Sequence, residues 1–149
     1  MIIREIGRPE CIETLSRSAL GRLACVRDNR PYVVPVSFAY ENNCLYSFSL
    51  EGQKIEWMRA NPAVCVLVDE ISTRQEWRSI VVEGRYEELL EASEWNHRAH
   101  AWSLLQSRNR VWWLPGSSKP VQNPAEGPPH LFYRIRIEAI TGREAVRRD

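Results

Sequence analysis

Residues 32–40 constrain this chain more than any other segment. Tyr32, Val34, Val36, Phe38 and Tyr40 fall on one face of an extended backbone, and Val33, Pro35, Ser37 and Ala39 fall on the other. A period of two specifies a β-strand. Pro35 sits in the middle of it and cannot donate to a ladder, so the strand must be bulged, locally unpaired or at a sheet edge. Turn residues bracket it, Asp28-Asn29-Arg30-Pro31 before and Glu41-Asn42-Asn43 after. Arg22-Leu23-Ala24-Cys25-Val26-Arg27 and residues 44–50 are then its hairpin neighbours. Strands joined by turns this short favour antiparallel pairing.

The remaining segments extend the same plan. Pro9 suits the first turn of an opening helix over residues 9–18, with Ile12 and Leu15 as its apolar pair. A second helix begins at Gly52, carries Ile55 and Met58 inward, and stops at Asn61-Pro62. Residues 63–68 read as a buried strand, and residues 77–89 as a long strand broken or bulged near Gly84. Ser93 can cap a third helix with Glu94 in its first turn, and Trp95, Trp102 and Leu105 form its packing stripe. Residues 109–130 hold five of the nine prolines together with Trp112-Trp113 and read as one long loop. In the last strand, Leu131, Tyr133, Ile135, Ile137 and Ala139 point inward, and Phe132, Arg134, Arg136 and Glu138 point outward. About six antiparallel strands with few helices predict a mainly β fold, a closed or nearly closed barrel with helices at its ends. The expected organisation is one domain over residues 1–149, with the proline-rich loop inside it.

Composition narrows the function classes. Twenty Lys and Arg against nineteen Asp and Glu give a net charge of +1, without the basic field of a nucleic-acid binder. No apolar run approaches the ~20 residues of a membrane span. Met1-Ile2-Ile3-Arg4-Glu5 carries no secretory signal, so a cytoplasmic protein is expected. Cys11, Cys25, Cys44 and Cys65 share no CxxC spacing and read as reduced, buried side chains rather than a zinc site. His97 and His100 stand one helical turn apart without an evident third metal ligand, and His130 reads as structural.

Chemistry concentrates where a strand runs into a helix. Ser47-Phe48-Ser49-Leu50 leads directly to Gly52-Gln53-Lys54. A helix N-terminus offers unpaired N–H groups and partial positive charge, to which Lys54 adds a full charge and Ser47 and Ser49 add hydroxyls. This set suits one phosphate; the plain alternative is a surface helix with a solvated lysine.

Taken in order, Gly21-Arg22-Leu23-Ala24, Pro31-Tyr32-Val33-Val34-Pro35-Val36-Ser37-Phe38, Leu45-Tyr46, Glu51-Gly52-Gln53-Lys54, Asn61-Pro62 and Val81-Val82-Glu83-Gly84-Arg85 resemble the pyridoxamine 5′-phosphate oxidase-like family. The branch they resemble is that of small flavoproteins related to nitroimidazole reductases. The resemblance covers roughly residues 12–90 and implies a split β-barrel, a homodimer and FMN at the subunit interface. It implies Pro35, Val36, Ser37 and Phe38 along the flavin ring, and Ser47, Phe48 and Ser49 along the ribityl chain and phosphate. Gln53 and Lys54 would bind the phosphate, and Trp77, Arg78 and Ser79 would face the flavin from the later strand. Phe48 stands nearest to where the nitroimidazole-reductase branch often has a histidine, and the C-terminal substrate motif of the oxidase proper is missing. The resemblance thus implies an FMN-dependent oxidoreductase other than the oxidase itself, with an unidentified small-molecule substrate and a nicotinamide electron donor. The alternatives are a non-catalytic flavin-binding or storage protein and a haem- or deazaflavin-binding split barrel. No catalytic residue is assigned.

Overall fold

The computed structural model describes residues 1–108 and 130–148, without the side chains of 91–96 and 108. The expected loop, with Trp112 and Trp113, lies outside the described residues apart from His130, and so does the side chain of Trp95. The elements are β1 (Ile2–Ile6), α1 (Arg8–Arg17), β2 (Leu20–Arg27), β3 (Arg30–Ser37), β4 (Ala39–Glu41), β5 (Cys44–Ser49), α2 (Gln53–Ala60), β6 (Ala63–Thr73), β7 (Glu76–Leu89), α3 (Glu91–Arg108) and β8 (Leu131–Val146). The strands form one antiparallel sheet of eight, in the order β3-β2-β6-β7-β8-β5-β4 with β1 also beside β8. This is the expected split barrel with peripheral helices, but with eight strands rather than about six.

Two local events account for the difference. The segment 32–40 divides at Phe38, whose N–H is taken by the Ala19 carbonyl at 3.0 Å. Up to Ser37 the chain pairs with β2; from Ala39 it pairs with β5. The two ends of the strand order are therefore consecutive in the chain, but no ladder joins them and the sheet is not closed. Pro35 lies on β3, an end strand of that order, which is where a residue without an N–H is tolerated. The second event is β1, which pairs with residues 142–146 of a final strand that runs seven residues past Ala139.

Turn chemistry sets the two hairpins. Asp28 and Asn29 have φ of 50° and 63°, and Asn42 and Asn43 have 50° and 65°, the two-residue turn whose twist suits antiparallel strands. Asn and Asp enter this region more readily than other non-glycine residues. The expected irregularity at Gly84 is also present. Glu83 pairs with Ala139 and Gly84 with Ile137, so Glu138 is an extra residue on β8. A Cβ on Gly84 would lie 2.6 Å from the Arg136 carbonyl oxygen, so the close approach requires glycine. The bulge shifts the alternation of β8, and Ala139, expected inside, is exposed.

Leu15, Leu23, Val36, Phe38, Ile55, Met58, Val66, Val82 and Ile135 fill the barrel. α3 buries a second cluster of Phe48, Leu89, Leu104, Leu105 and Phe132, with Trp102 packed against it. Phe132, expected to point outward, is buried because α3 covers that end of the sheet. Among the described residues no helix is long and apolar enough to cross a membrane.

Candidate functional site

A pocket of about 330 Å³ opens where β5 turns into α2. Ser49, Gly52, Gln53 and Lys54 line it from β5 and α2, Tyr32 and Val34 from β3, and Phe48 and His130 complete its wall. Gly52 precedes the helix in extended backbone, and among the described residues no side chain caps α2. The first-turn N–H groups have no acceptor within the helix, and their dipoles favour an anion. Lys54 is half-buried. Burial holds its ammonium below the usual lysine range, with the nearby Cys25 thiol acting weakly the other way. Among the described residues it makes neither a hydrogen bond nor an ion pair. Arg59, on the same helix, is bound to both Glu51 and Glu88.

The twelve residues expected at a flavin site separate into groups. Phe48, Ser49, Gln53 and Lys54 share the α2 pocket. Val36, Ser37, Phe38 and Ser47 are buried, and the Ser47 hydroxyl donates to the Ser37 carbonyl at 2.6 Å, which ties β5 to β3 across the corner. Trp77 and Ser79 line a different cleft of about 380 Å³, with Glu5, Val81, Thr141 and Arg143. Cross-strand register places Pro35, Leu67, Val81 and Thr141 on that same outer face, in one row with Arg22. Arg78 alternates to the opposite face, where its guanidinium donates to Thr14 Oγ1 at 3.2 Å and meets Glu144 at 3.5 Å. One chain thus gathers the phosphate end of the expected site and leaves Trp77, Ser79 and Pro35 elsewhere.

The outer face mixes apolar and charged side chains. Val33 and Ile71 are 61% and 70% exposed, and between them lie Pro35, Ala24, Cys65, Leu67, Val81 and Trp77, with Arg22, Asp69, Glu83 and Arg143 interspersed.

The sequence reads His130 as structural. It is buried beside Phe48, with ring centroids 5.4 Å apart, and it lines the Lys54 pocket. The missing signal was the pairing of β5 with β8: Ser49 faces Leu131, which carries the preceding residue to the pocket. His100 lies away on α3, within 2.6 Å of Glu41. Among the described residues no three His, Cys, Asp or Glu side chains gather into a metal site. All four cysteines are free, and burial pushes each thiol up, so none is an activated nucleophile.

The model of the pyridoxamine 5′-phosphate oxidase family matches residues 7–144. An uncharacterized protein of Rhizobium meliloti (strain 1021) is 44% identical over 147 residues, 97% of either chain. A solved structure described as a FAD-binding protein of Mesorhizobium loti is 47% identical, with a TM-score of 0.82 over 97% of this chain and 99% of that one. A proposed 5-nitroimidazole antibiotic resistance protein of Bacteroides thetaiotaomicron is 21% identical with a TM-score of 0.71, covering 96% of this chain and 87% of its own, and shares the fold.

Proposed function

The chain belongs to the pyridoxamine 5′-phosphate oxidase family, and from that premise we propose that it is a homodimeric FMN-binding oxidoreductase whose flavin lies between two copies. The single observation that carries this reading is Lys54, half-buried in a pocket at the head of α2 and, among the described residues, without a hydrogen bond or ion pair. A cation left in that state is costly unless an anion meets it. The phosphate of a flavin is such an anion, and the 47% identical Mesorhizobium loti protein is described as FAD-binding.

The chain's own residues then divide the work. Lys54, the first-turn N–H groups of α2 and the Ser49 hydroxyl hold the phosphate. The Ser47 tether fixes the backbone at Ser37, which positions the strand end expected along the ring. Trp77, Ser79 and Pro35 lie on the outer face of the sheet, where a second copy of the chain would bury them and place them against its partner's flavin. When bound, the flavin supplies electron transfer, with a nicotinamide donor to reduce it and a small molecule to be reduced in turn.

Reconstitution with FMN tests the reading directly. The expected result is a flavin absorbance band, about one flavin per chain, and a dimer by light scattering. Val81→Asp, on the outer face, should give monomers that lose flavin. A soluble, folded chain that binds no flavin, or that binds it fully as a monomer, overturns the proposal. Oxidation of a nicotinamide donor by the holoprotein separates an enzyme from a carrier.

A further inference from the structure

The cleft of about 380 Å³ on the outer face draws its walls from three strands: Glu5 from β1, Trp77 and Ser79 from β7, and Thr141 and Arg143 from β8. It stands at the far end of β8 from α3, since Thr141 is roughly 30 Å of strand beyond Leu131. Glu5 and Arg143 are direct cross-strand partners, and Ser79 is the partner of Arg143 on its other side. Opposite charges in that register commonly close on each other. These do not: among the described residues neither Glu5 nor Arg143 has a hydrogen bond or an ion pair. One position along, on the opposite face, Arg4 and Arg78 both reach Glu144. Asp69 of β6, the partner of Ser79, continues the charged row. The Trp77 indole is half-exposed and, among the described residues, has neither a ring contact nor a hydrogen bond. The cleft thus presents an aromatic face, a guanidinium donor and a carboxylate acceptor side by side, with donor and acceptor not joined to each other.

We propose that this cleft is the subsite for a planar aromatic carboxamide, the nicotinamide end of the electron donor: Trp77 stacks on the ring, Arg143 donates to the carboxamide oxygen and Glu5 accepts from the carboxamide nitrogen. A primary carboxamide carries an acceptor oxygen and two N–H donors on one carbon, so it satisfies an unjoined guanidinium and carboxylate together. A ligand carboxylate would meet Arg143 but face Glu5 as a like charge, and a ligand ammonium would meet the reverse. The inference rests on the flavin reading above and deepens it, since it gives the electron donor a place on the face where that reading sets the partner's flavin.

The probes are nicotinamide and nicotinate, titrated at neutral pH into the full chain with and without FMN. NMR follows the Trp77 indole N–H and the backbone N–H groups of residues 141–143. Nicotinamide should shift these signals in both forms and bind about tenfold more tightly than nicotinate, the worth of one charge-assisted bond. Glu5→Gln should bring the two Kd values level. Arg143→Gln should weaken both ligands, nicotinate the more, because only Glu5 then faces its charge. Both side chains are exposed, so neither substitution disturbs the core. A preference for nicotinamide that is unchanged in Glu5→Gln overturns the proposal, and so does a wild type whose Trp77 signal does not move. Shifts that vanish once FMN is bound give the cleft to the flavin ring and overturn it as well. A chain that binds nicotinamide here but takes up no flavin keeps the carboxamide subsite and removes the flavin reading. A chain that takes up flavin but shows no nicotinamide shift keeps that reading and removes the subsite.

Discussion

Where α1 packs on β7 and β8, Arg17 is held by Glu13 and Glu70, and Arg4 and Arg78 share Glu144; at the head of α2, Lys54 has no hydrogen bond or ion pair among the described residues. The first region uses its charges on itself. Arg17 bonds both oxygens of Glu70 at 2.6 and 2.7 Å and holds that carboxyl below the usual range. The second region leaves a cation half out of water with no carboxylate against it among the described residues. Equal formal charges thus have different costs: a satisfied cation stabilises the fold, while an unsatisfied, half-buried one opposes it unless an anion meets it. Net charge, near zero for this chain, does not reveal the difference.

Lys54→Met attacks the comparison at its strongest point. It should raise the flavin Kd by ~10–100-fold, the worth of a charge-assisted bond to phosphate, while leaving the thermal midpoint of the apoprotein level or higher. A fall in the apoprotein midpoint would make Lys54 a structural cation like the others. Arg78→Met is the converse. Glu144 is 7% exposed and would keep only Arg4, so urea unfolding should show a loss of about 1–2 kcal/mol, with less effect on flavin binding than Lys54→Met. If flavin binding falls as far as in Lys54→Met, the side chain belongs to the ligand site despite its bonds to Glu144 and Thr14.

The smallest effects are in pH, and they have opposite signs. Glu70 is depressed in the fold by its bond to Arg17, so the pair stabilises above the unfolded carboxylate value of 4.5 and that stability is lost as pH falls through the folded value. The acid loss should exceed that of Arg17→Met by less than about 1 kcal/mol, since the pair is partly exposed. Lys54 is also depressed, but as a cation: its charged form opposes folding, so apoprotein stability should rise as pH climbs towards 10.5, and not in Lys54→Met.

Local chemistry was legible in the sequence. Asp28-Asn29 and Asn42-Asn43 announce tight turns by their own backbone preferences, Pro35 announces an edge, and Gly84 announces a bulge. Lys54 could be placed at a helix head because strand and helix are adjacent in the chain. What failed to show depends on partners distant in sequence. β1 does not alternate and exists only because the far end of β8 accepts it. The division at Phe38 requires knowing that one half of a continuous pattern pairs with β2 and the other with β5. Arg78 lies between two residues that face outward, and only α1 on the other side explains its bonds. His130 reaches the pocket through a ladder between residues more than eighty positions apart.

The placement of β1 also has a kinetic consequence. Ile2 pairs with Val146, so almost the whole chain must be gathered before that ladder can begin, whereas the hairpins β2–β3 and β4–β5 close over two residues. Contacts of such long sequence separation form late, because loop closure precedes any gain from them. β1 also exposes its first four residues and has one neighbour, so little holds it once the ladder loosens. It is the last strand to zip and the first to fray. Until it docks, residues 142–146 present an open edge to any extended segment, and the speed of that final step sets how long a folding chain stays open to pairing with another.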